Sequence, residues 1–235
     1  MKVLIVLPTY NERQNIERVI SLILTTCSNC DLLVVDDNSP DKTAEVVEKI
    51  SNQEKRVNLL VRAKKQGLGT AYVAGFQWGL ARGYDLFFEM DSDLSHDPAD
   101  LPRFIEKIKS GCDLVIGSRY TNNTISVVGW DFKRLLISKF ANWYATTILK
   151  TKNLTDITSG FRAYTRSCLE RIDLQSIKSN GYAFQIEMAY KVIKEGLTVC
   201  ELPIIFYERA GGSSKMSKKI ALEAAIMVWR LRFGR

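Results

Sequence analysis

Two carboxylates one residue apart, Asp91 and Asp93, end the run Asp85-Leu86-Phe87-Phe88-Glu89-Met90. An aliphatic and aromatic run that stops at charge reads as a buried strand. The turn beyond it delivers both acids to the carboxyl edge of a sheet, where open α/β folds bind ligands. Neighbouring carboxylates repel and raise each other's pKa, so keeping both ionised calls for a cation. The natural choice is an oxygen-seeking divalent metal with positions left for phosphate oxygens. The same spacing also occurs at strand ends whose acids are merely solvated.

Other stretches could join such a site. Pro8-Thr9-Tyr10-Asn11-Glu12 follows the first strand-like run, the proline stopping the ladder and polar groups arriving at the same edge. Val35-Asp36-Asp37-Asn38-Ser39 ends the second run, and its acids suit the N–H donors of a base, a ribose hydroxyl or the cap of the next helix. Gly67-Leu68-Gly69 is a glycine fingerprint lacking its third glycine, better read as a tight turn opening the helix that carries Phe76 and Trp78. Arg119, in Gly117-Ser118-Arg119-Tyr120, and Arg134, in Gly129-Trp130-Asp131-Phe132-Lys133-Arg134, carry the planar fork that fits phosphate oxygens. Plain surface charge is the competing reading for both. Glu208-Arg209-Ala210-Gly211-Gly212-Ser213-Ser214-Lys215 reads as a basic loop able to close over a diphosphate through Arg209 and Lys215.

The elements that must position these residues alternate. Val3–Leu7, Leu32–Val35, Leu59–Val61, Leu86–Met90 and Leu114–Ile116 are aliphatic runs of the kind found in a parallel sheet covered on both faces. Between them, Ile16, Val19, Ile20 and Ile23, and again Leu101, Phe104, Ile105 and Ile108, have helical spacing. Ser39-Pro40-Asp41 and Asp97-Pro98-Ala99-Asp100 look like helix starts, a capping side chain preceding a proline. Repeated β-α-β units predict a doubly wound α/β core. Further on, helices are expected at Lys133–Lys150, Tyr182–Lys194 and Lys218–Phe233, and a strand at Leu202–Tyr207.

With 235 residues, 46% hydrophobic and 25% charged, the chain can bury a substantial core and is not a disordered tail. The net charge of +7 suits phosphate-bearing molecules, an anionic membrane surface or nucleic acid. The five cysteines form no disulfide framework and no secretory leader precedes the first strand, so unpaired thiols in a reducing cytoplasm are expected. Cys27-Ser28-Asn29-Cys30 has the spacing of half a zinc site, but there is no second pair and His96 is the single histidine. No run reaches the about 18 apolar residues needed to span a bilayer.

Taken in order, the motifs above, together with Met90-Asp91-Ser92-Asp93-Leu94-Ser95-His96, Thr158-Ser159-Gly160-Phe161-Arg162 and Ser213-Ser214-Lys215, resemble family 2 glycosyltransferases. Within that family they are most similar to the dolichyl-phosphate (polyprenyl-phosphate) mannose synthases, over nearly the whole chain. The resemblance implies an α/β GT-A fold, Rossmann-like with a mostly parallel central sheet and no transmembrane helix. It also implies one domain over 1–235: a nucleotide and metal half (1–120), an acceptor half (121–217) and an amphipathic C-terminal helix (218–235) that meets a membrane or a partner.

The implied reaction is inverting transfer of mannose from GDP-mannose to a dolichyl or polyprenyl monophosphate, aided by Mg²⁺ or Mn²⁺. Pro8, Tyr10, Glu12, Val35 and Asp37 would contact the nucleoside, and Asp91, Ser92 and Asp93 the metal and donor. Arg119 and Arg134 would meet donor or acceptor phosphates, and Arg209 and Lys215 the diphosphate. Some relatives carry a metal-binding glutamine where this chain has Ser95, which leaves Ser95 or a water for that position. A phosphate monoester acceptor, with a second pKa near ~6, arrives ionised and needs little or no general base.

Because a polyprenol tail stays in the bilayer, the enzyme is expected to be peripheral on the cytoplasmic face, with a small membrane subunit as a further partner and no nucleic acid. Both Lys133–Lys150 and Lys218–Phe233 mix apolar, aromatic and basic residues. The first reads equally well as packed on the core, while the second favours a membrane or a membrane partner. Two other functions stay open: glucosyl transfer from UDP-glucose on the same fold, and a non-catalytic membrane or nucleic-acid binding module.

Overall fold

The structure is a computed structural model describing residues 1–121, 123–177, 179, 181–208 and 218–234, the side chains of 218–223 excepted. Its centre is a seven-stranded sheet made of β1 (Val3–Thr9), β2 (Cys30–Asp36), β3 (Val57–Val61), β4 (Leu86–Glu89), β5 (Leu114–Ser118), β7 (Arg162–Thr165) and β8 (Val199–Pro203). The strand order is β3-β2-β1-β4-β7-β5-β8, parallel except for β7, which runs antiparallel between β4 and β5. A small parallel pair joins β6 (Val127–Val128) to β9 (Phe206–Tyr207).

Side chains alternate across the pleat, so successive residues of one strand build two separate cores. Val3, Ile5 and Leu7 of β1 pack with Ile16, Val19, Ile20 and Ile23 of α1 (Ile16–Thr26) and with Leu101, Phe104 and Ile108 of α4 (Leu101–Lys109). Leu4 and Val6 face the other way, onto Tyr72 and Phe76 of α3 (Leu68–Leu80) and a cluster that includes Phe184 and Met188 of α7 (Tyr182–Lys194). The same cluster takes in Ala145 and Leu149 of α5 (Phe132–Leu149) and Val228 of α8 (Lys218–Phe233). The short helices α2 (Thr43–Ser51) and α6 (Arg166–Arg171) complete the covering. Among the described residues no helix is long and apolar enough to cross a membrane.

The chain passes from β3 at one edge back across β1 to β4, so β1 has β2 on one side and β4 on the other. Such a reversal opens a crevice at the carboxyl ends of the strands. Because β7 is antiparallel, with Arg162 opposite Glu89, the segment just before β7 enters that crevice beside the end of β4.

Three expectations need correction. The helix near Ser39-Pro40-Asp41 begins only at Thr43, with Asp41 Oδ1 accepting from the Thr43 N–H and hydroxyl, because Ser39 is used by Asp36. The run Leu202–Tyr207 divides into the end of β8 and the separate β9. The cysteines are not unpaired: Cys27–Cys30 and Cys112–Cys200 form disulfides, with Cα–Cα distances of 5.4 and 6.0 Å, and only Cys168 is free. Adjacency of β5 and β8 brings Cys112 to Cys200 across 88 residues, which no local pattern reveals. The compartment inferred from unpaired thiols therefore loses its ground.

Candidate active site

A cleft of about 390 Å³ runs along the carboxyl edge of β1, β2, β4 and β5. Three of its loops turn through non-glycine residues with left-handed backbone: Asn11 (φ 63°) after β1, Asn38 (φ 55°) after β2 and Leu94 (φ 65°) after β4. Asparagine tolerates that conformation through local hydrogen bonds, but leucine does so only when its surroundings impose it. The turn at Leu94 carries the Ser95 N–H and hydroxyl back to Asp93 Oδ1, at 3.1 and 2.5 Å.

At the end of the cleft nearest β2, Pro8, Tyr10, Glu12 and Asp37 line the wall, joined by Lys65, whose ammonium sits 3.8 Å from the Tyr10 ring centroid. Asp37 is fixed by Arg62 Nε at 2.5 Å and by the Gln66 N–H at 3.2 Å. Asp36 turns inward and accepts from the Thr9 hydroxyl and from Ser39 N–H and Oγ, so it latches the β1 and β2 loops together. Neither acid caps α2. The side chain of Val35 is buried in the core of β2 and does not line the cleft.

In the middle lie Asp91, Ser92 and Asp93. Asp91 Oδ1 accepts from the Tyr72 hydroxyl at 3.3 Å, and the Asp91 N–H donates to His96 Nδ1 at 3.1 Å. Ser92 donates to the Pro8 carbonyl at 3.0 Å, tying the acid loop to β1. His96 stacks on Phe161, and burial lowers its pKa to about 4 despite the pull of Asp93, so the imidazole is neutral at pH 7. Just below, Glu89 is fully buried, and burial raises its carboxyl to about 7 against the opposing charge of Arg162. Gln185 and Tyr164 approach Glu89, yet no hydrogen bond of ordinary geometry reaches either carboxylate oxygen.

At the far end stand Arg119 and Arg134. Arg119 is buried and bonded through Nε and Nη2 to Asp156, at 2.6 Å each, and through Nη2 to Thr158. Burial opposes its charge, but the Asp156 carboxylate outweighs that and raises its pKa. Asp156 and Thr155 are themselves held through their N–H groups by Glu201. Arg134, capped at its N–H by Asp131, pairs with Glu208 at 2.9 Å and lies 4.2 Å over the Trp130 ring. Gly129 has φ 87°, and a Cβ there would come within 2.8 Å of Glu208, so the tryptophan loop needs glycine on two counts. Trp130 Nε1 is shielded from water and has no hydrogen-bond partner.

Beyond these arginines an apolar cavity of about 240 Å³ opens between α5, α7 and α8, lined by Ile137, Phe140, Ala141, Tyr144, Ile186 and Val228 among others. Arg119, Trp130, Arg134, Thr158 and Tyr182 line both spaces. On its outer side α5 leaves Phe132 (71%), Trp143 (62%) and the cavity-lining Phe140 (61%) exposed, while α8 exposes Ile226, Trp229 and Phe233. Among the described residues the larger exposed apolar face thus belongs to α5, whose opposite face buries Asn142, Ala145, Thr146 and Leu149. Arg209 and Lys215 lie outside the described residues.

The residues 4–173 match the model of glycosyl transferase family 2. The chain belongs to this family. It is 43% identical to a polyprenol monophosphomannose synthase of Mycolicibacterium smegmatis over 98% of its own length and 88% of the relative's. It is 44% identical to an undecaprenyl-phosphate mannosyltransferase of Micrococcus luteus, over 98% and 93%. In fold it resembles the glucosyl-3-phosphoglycerate synthase of Mycobacterium tuberculosis crystallised with Mn²⁺, UDP and glucosyl-3-phosphoglycerate, with TM-score 0.72, 19% identity, and 98% of this chain covering 80% of that one. The glycosyltransferase with a mostly parallel α/β sheet expected from the motifs is what the chain is.

Sequence reasoning missed Lys65, Tyr72, Asp156 and Gln185. Only Gln185 left a signal, a polar residue within a helix whose neighbours Phe184, Ile186, Met188 and Ala189 are all buried.

Proposed function

We propose that this glycosyltransferase moves mannose from GDP-mannose to a polyprenyl monophosphate, with inversion, at the membrane surface. The observation that carries the reading is the junction of the two spaces. A polar cleft meets an apolar cavity at two arginines and an indole N–H, which suits a phosphate joined to a hydrocarbon chain. The relatives named above act on polyprenyl substrates by their names, which supports the same acceptor here.

Among the described residues no group of three or more acids, histidines or cysteines gathers at one point. Asp91 and Asp93 nonetheless fit Mg²⁺ or Mn²⁺, which commonly takes one or two carboxylates and completes its shell with water and phosphate oxygens. Ser95, whose hydroxyl is donated to Asp93, would orient that carboxylate. When bound, the cation would offset the charge that develops on the departing diphosphate.

The chain's own residues do the rest. The Tyr10, Glu12, Asp37 and Lys65 end of the cleft takes the nucleoside, and the domain accordingly divides into a donor half up to about residue 120 and an acceptor half beyond it. Arg119 and Arg134 with Trp130 grip the acceptor phosphate, already ionised at neutral pH by a second pKa near ~6. A phosphate oxygen bonds to the sugar's anomeric carbon while the bond to the diphosphate breaks, its electron pair leaving on GDP. Attack from the opposite face turns an α donor into a β product without a general base. Neutral His96, whose Nδ1 already accepts from Asp91, acts as a prop for the acid loop. Arg209 and Lys215 would complete the diphosphate side.

The exposed apolar faces of α5 and α8, with Lys133, Lys139, Arg230 and Arg232 on the same helices, would rest on an anionic membrane surface or on a membrane-embedded partner. Incubation of the purified chain with labelled GDP-mannose, Mn²⁺ and a short polyprenyl phosphate, with UDP-glucose in a parallel tube, tests the reading. Organic extraction should recover the mannose label. Label remaining in water with folded protein, or extraction of glucose alone, overturns it.

A further inference from the structure

The ends of the cleft are accounted for by nucleoside and acceptor phosphate, and its middle by Asp91 and Asp93. On the function proposed above, the transferred hexose has to lie between the acid pair and the two arginines. One buried polar side chain there is held by no hydrogen bond of ordinary geometry. Gln185, on the first turn of α7, is only 2% exposed and lines the cleft; its amide approaches the buried Glu89 carboxyl, but neither its oxygen nor its nitrogen makes a hydrogen bond of ordinary geometry. A buried amide without partners is costly, so such groups in native structures ordinarily await a water or a ligand.

The space it faces is defined by Gly160, which the antiparallel β7 brings to the end of β4. A Cβ at Gly160 would lie 3.6 Å from Gln185 Nε2, 3.8 Å from His96 Cε1 and 4.0 Å from Asp91 Oδ2. These are ordinary contact distances, and the φ of Gly160 is not left-handed, so alanine fits there without strain. The missing side chain therefore answers no demand of folding. It leaves room for an atom of a ligand among three polar side chains.

We propose that Gln185 and Gly160 form the subsite for the transferred hexose, with the Gln185 amide hydrogen-bonding one of its ring hydroxyls. An amide that both donates and accepts suits a hydroxyl, which does the same. Such a site discriminates among sugars because an epimer that moves the hydroxyl leaves the buried amide unpaired.

The test uses the full chain with Mn²⁺ and two variants, Gln185→Met, similar in length but without polar atoms, and Gly160→Ala, which fills the gap and leaves the amide intact. Thermal unfolding confirms that each folds. GDP and GDP-mannose binding are measured by calorimetry, and kcat/KM is measured with GDP-mannose and its monodeoxy analogues. Both variants are expected to bind GDP within twofold of wild type and to lose about 10- to 100-fold in kcat/KM for GDP-mannose, the size expected when a buried polar group loses its partner. One deoxy analogue should be about as poor with wild type as GDP-mannose is with Gln185→Met, and should lose nothing further in the variant. GDP and GDP-mannose weakened equally would make Gln185 a structural residue and overturn the subsite, as would variants that match wild type. A wild type that transfers mannose to nothing overturns the functional reading itself and the subsite with it.

Discussion

On the donor side of the cleft nearly every polar side chain is held by another: Asp37 by Arg62 and Gln66, Asp36 by Thr9 and Ser39, Asp93 by Ser95, and Asp91 by Tyr72. On the acceptor side Arg134 is tied, among the described residues, to the half-exposed Glu208 and rests on Trp130, and α5 presents bare aromatic rings. On the function proposed here, the two sides face different ligands. A sugar nucleotide is polar and of one shape, and a preorganised set of dipoles binds it without reorganisation at the moment of transfer. A polyprenyl phosphate arrives from a fluid phase, and the site that takes it must stay open to that phase. Arg119 stands at the boundary, facing the acceptor space while locked to Asp156 like a donor-side residue.

The contrast can be broken most severely at the acids. Asp93→Asn keeps an oxygen to accept from Ser95, so the fold should stand, while kcat should fall by about 10³-fold or more through loss of charge at the metal site. A radiolabel transfer assay with circular dichroism checks both, and substantial residual activity would move the metal elsewhere.

The two arginines sharpen the comparison. Arg119→Met leaves Asp156 buried without its partner and should cost about 3–5 kcal/mol of stability in urea unfolding. Arg134→Met should cost about 1 kcal/mol, since its partner Glu208 is half-exposed and stays solvated, yet lower kcat/KM for the lipid phosphate by roughly 10²-fold. Equal stability losses would erase the distinction between a pinned and an open side.

His96 offers a pH test of the pinned side. Its folded pKa is about 4 against an ordinary 6.5, so the unfolded chain takes up a proton first as pH falls between those values. Stability from this group is whole above pH 6.5 and is lost toward pH 4, by about 3 kcal/mol. Urea unfolding from pH 7 to 4 should show that loss in wild type relative to His96→Gln, and parallel curves would contradict the burial argument. The mildest effect is expected on the open face: Trp143→Ser should change stability by no more than about 0.5 kcal/mol but weaken binding to anionic vesicles roughly tenfold.

Much of the donor side was legible in the sequence. Strands β1, β2, β4 and β5 are buried on both faces, so their aliphatic runs stand out, and Tyr182–Lys194 and Lys218–Phe233 emerge with the bounds their spacing suggested. The left-handed Leu94 carries no residue signal, because its conformation is imposed by the return of Ser95 to Asp93. Strand β7 was invisible for a related reason. Its first residue, Arg162, is fully buried and spends its guanidinium on the carbonyls of Ile157, Ser159 and Gln185, partners that only the assembled fold supplies. Asp156 and the Cys112–Cys200 bond are hidden likewise by distance along the chain.

Crystals grown with GDP and Mn²⁺, and measured at the manganese absorption edge, test the central claim most directly. The account predicts an anomalous peak about 2.2 Å from carboxylate oxygens of the Asp91-Ser92-Asp93 turn and from the GDP phosphates, with the guanine beside Tyr10 and Lys65. Manganese bound away from that turn, or GDP lying with its phosphates toward Asp37, would contradict it.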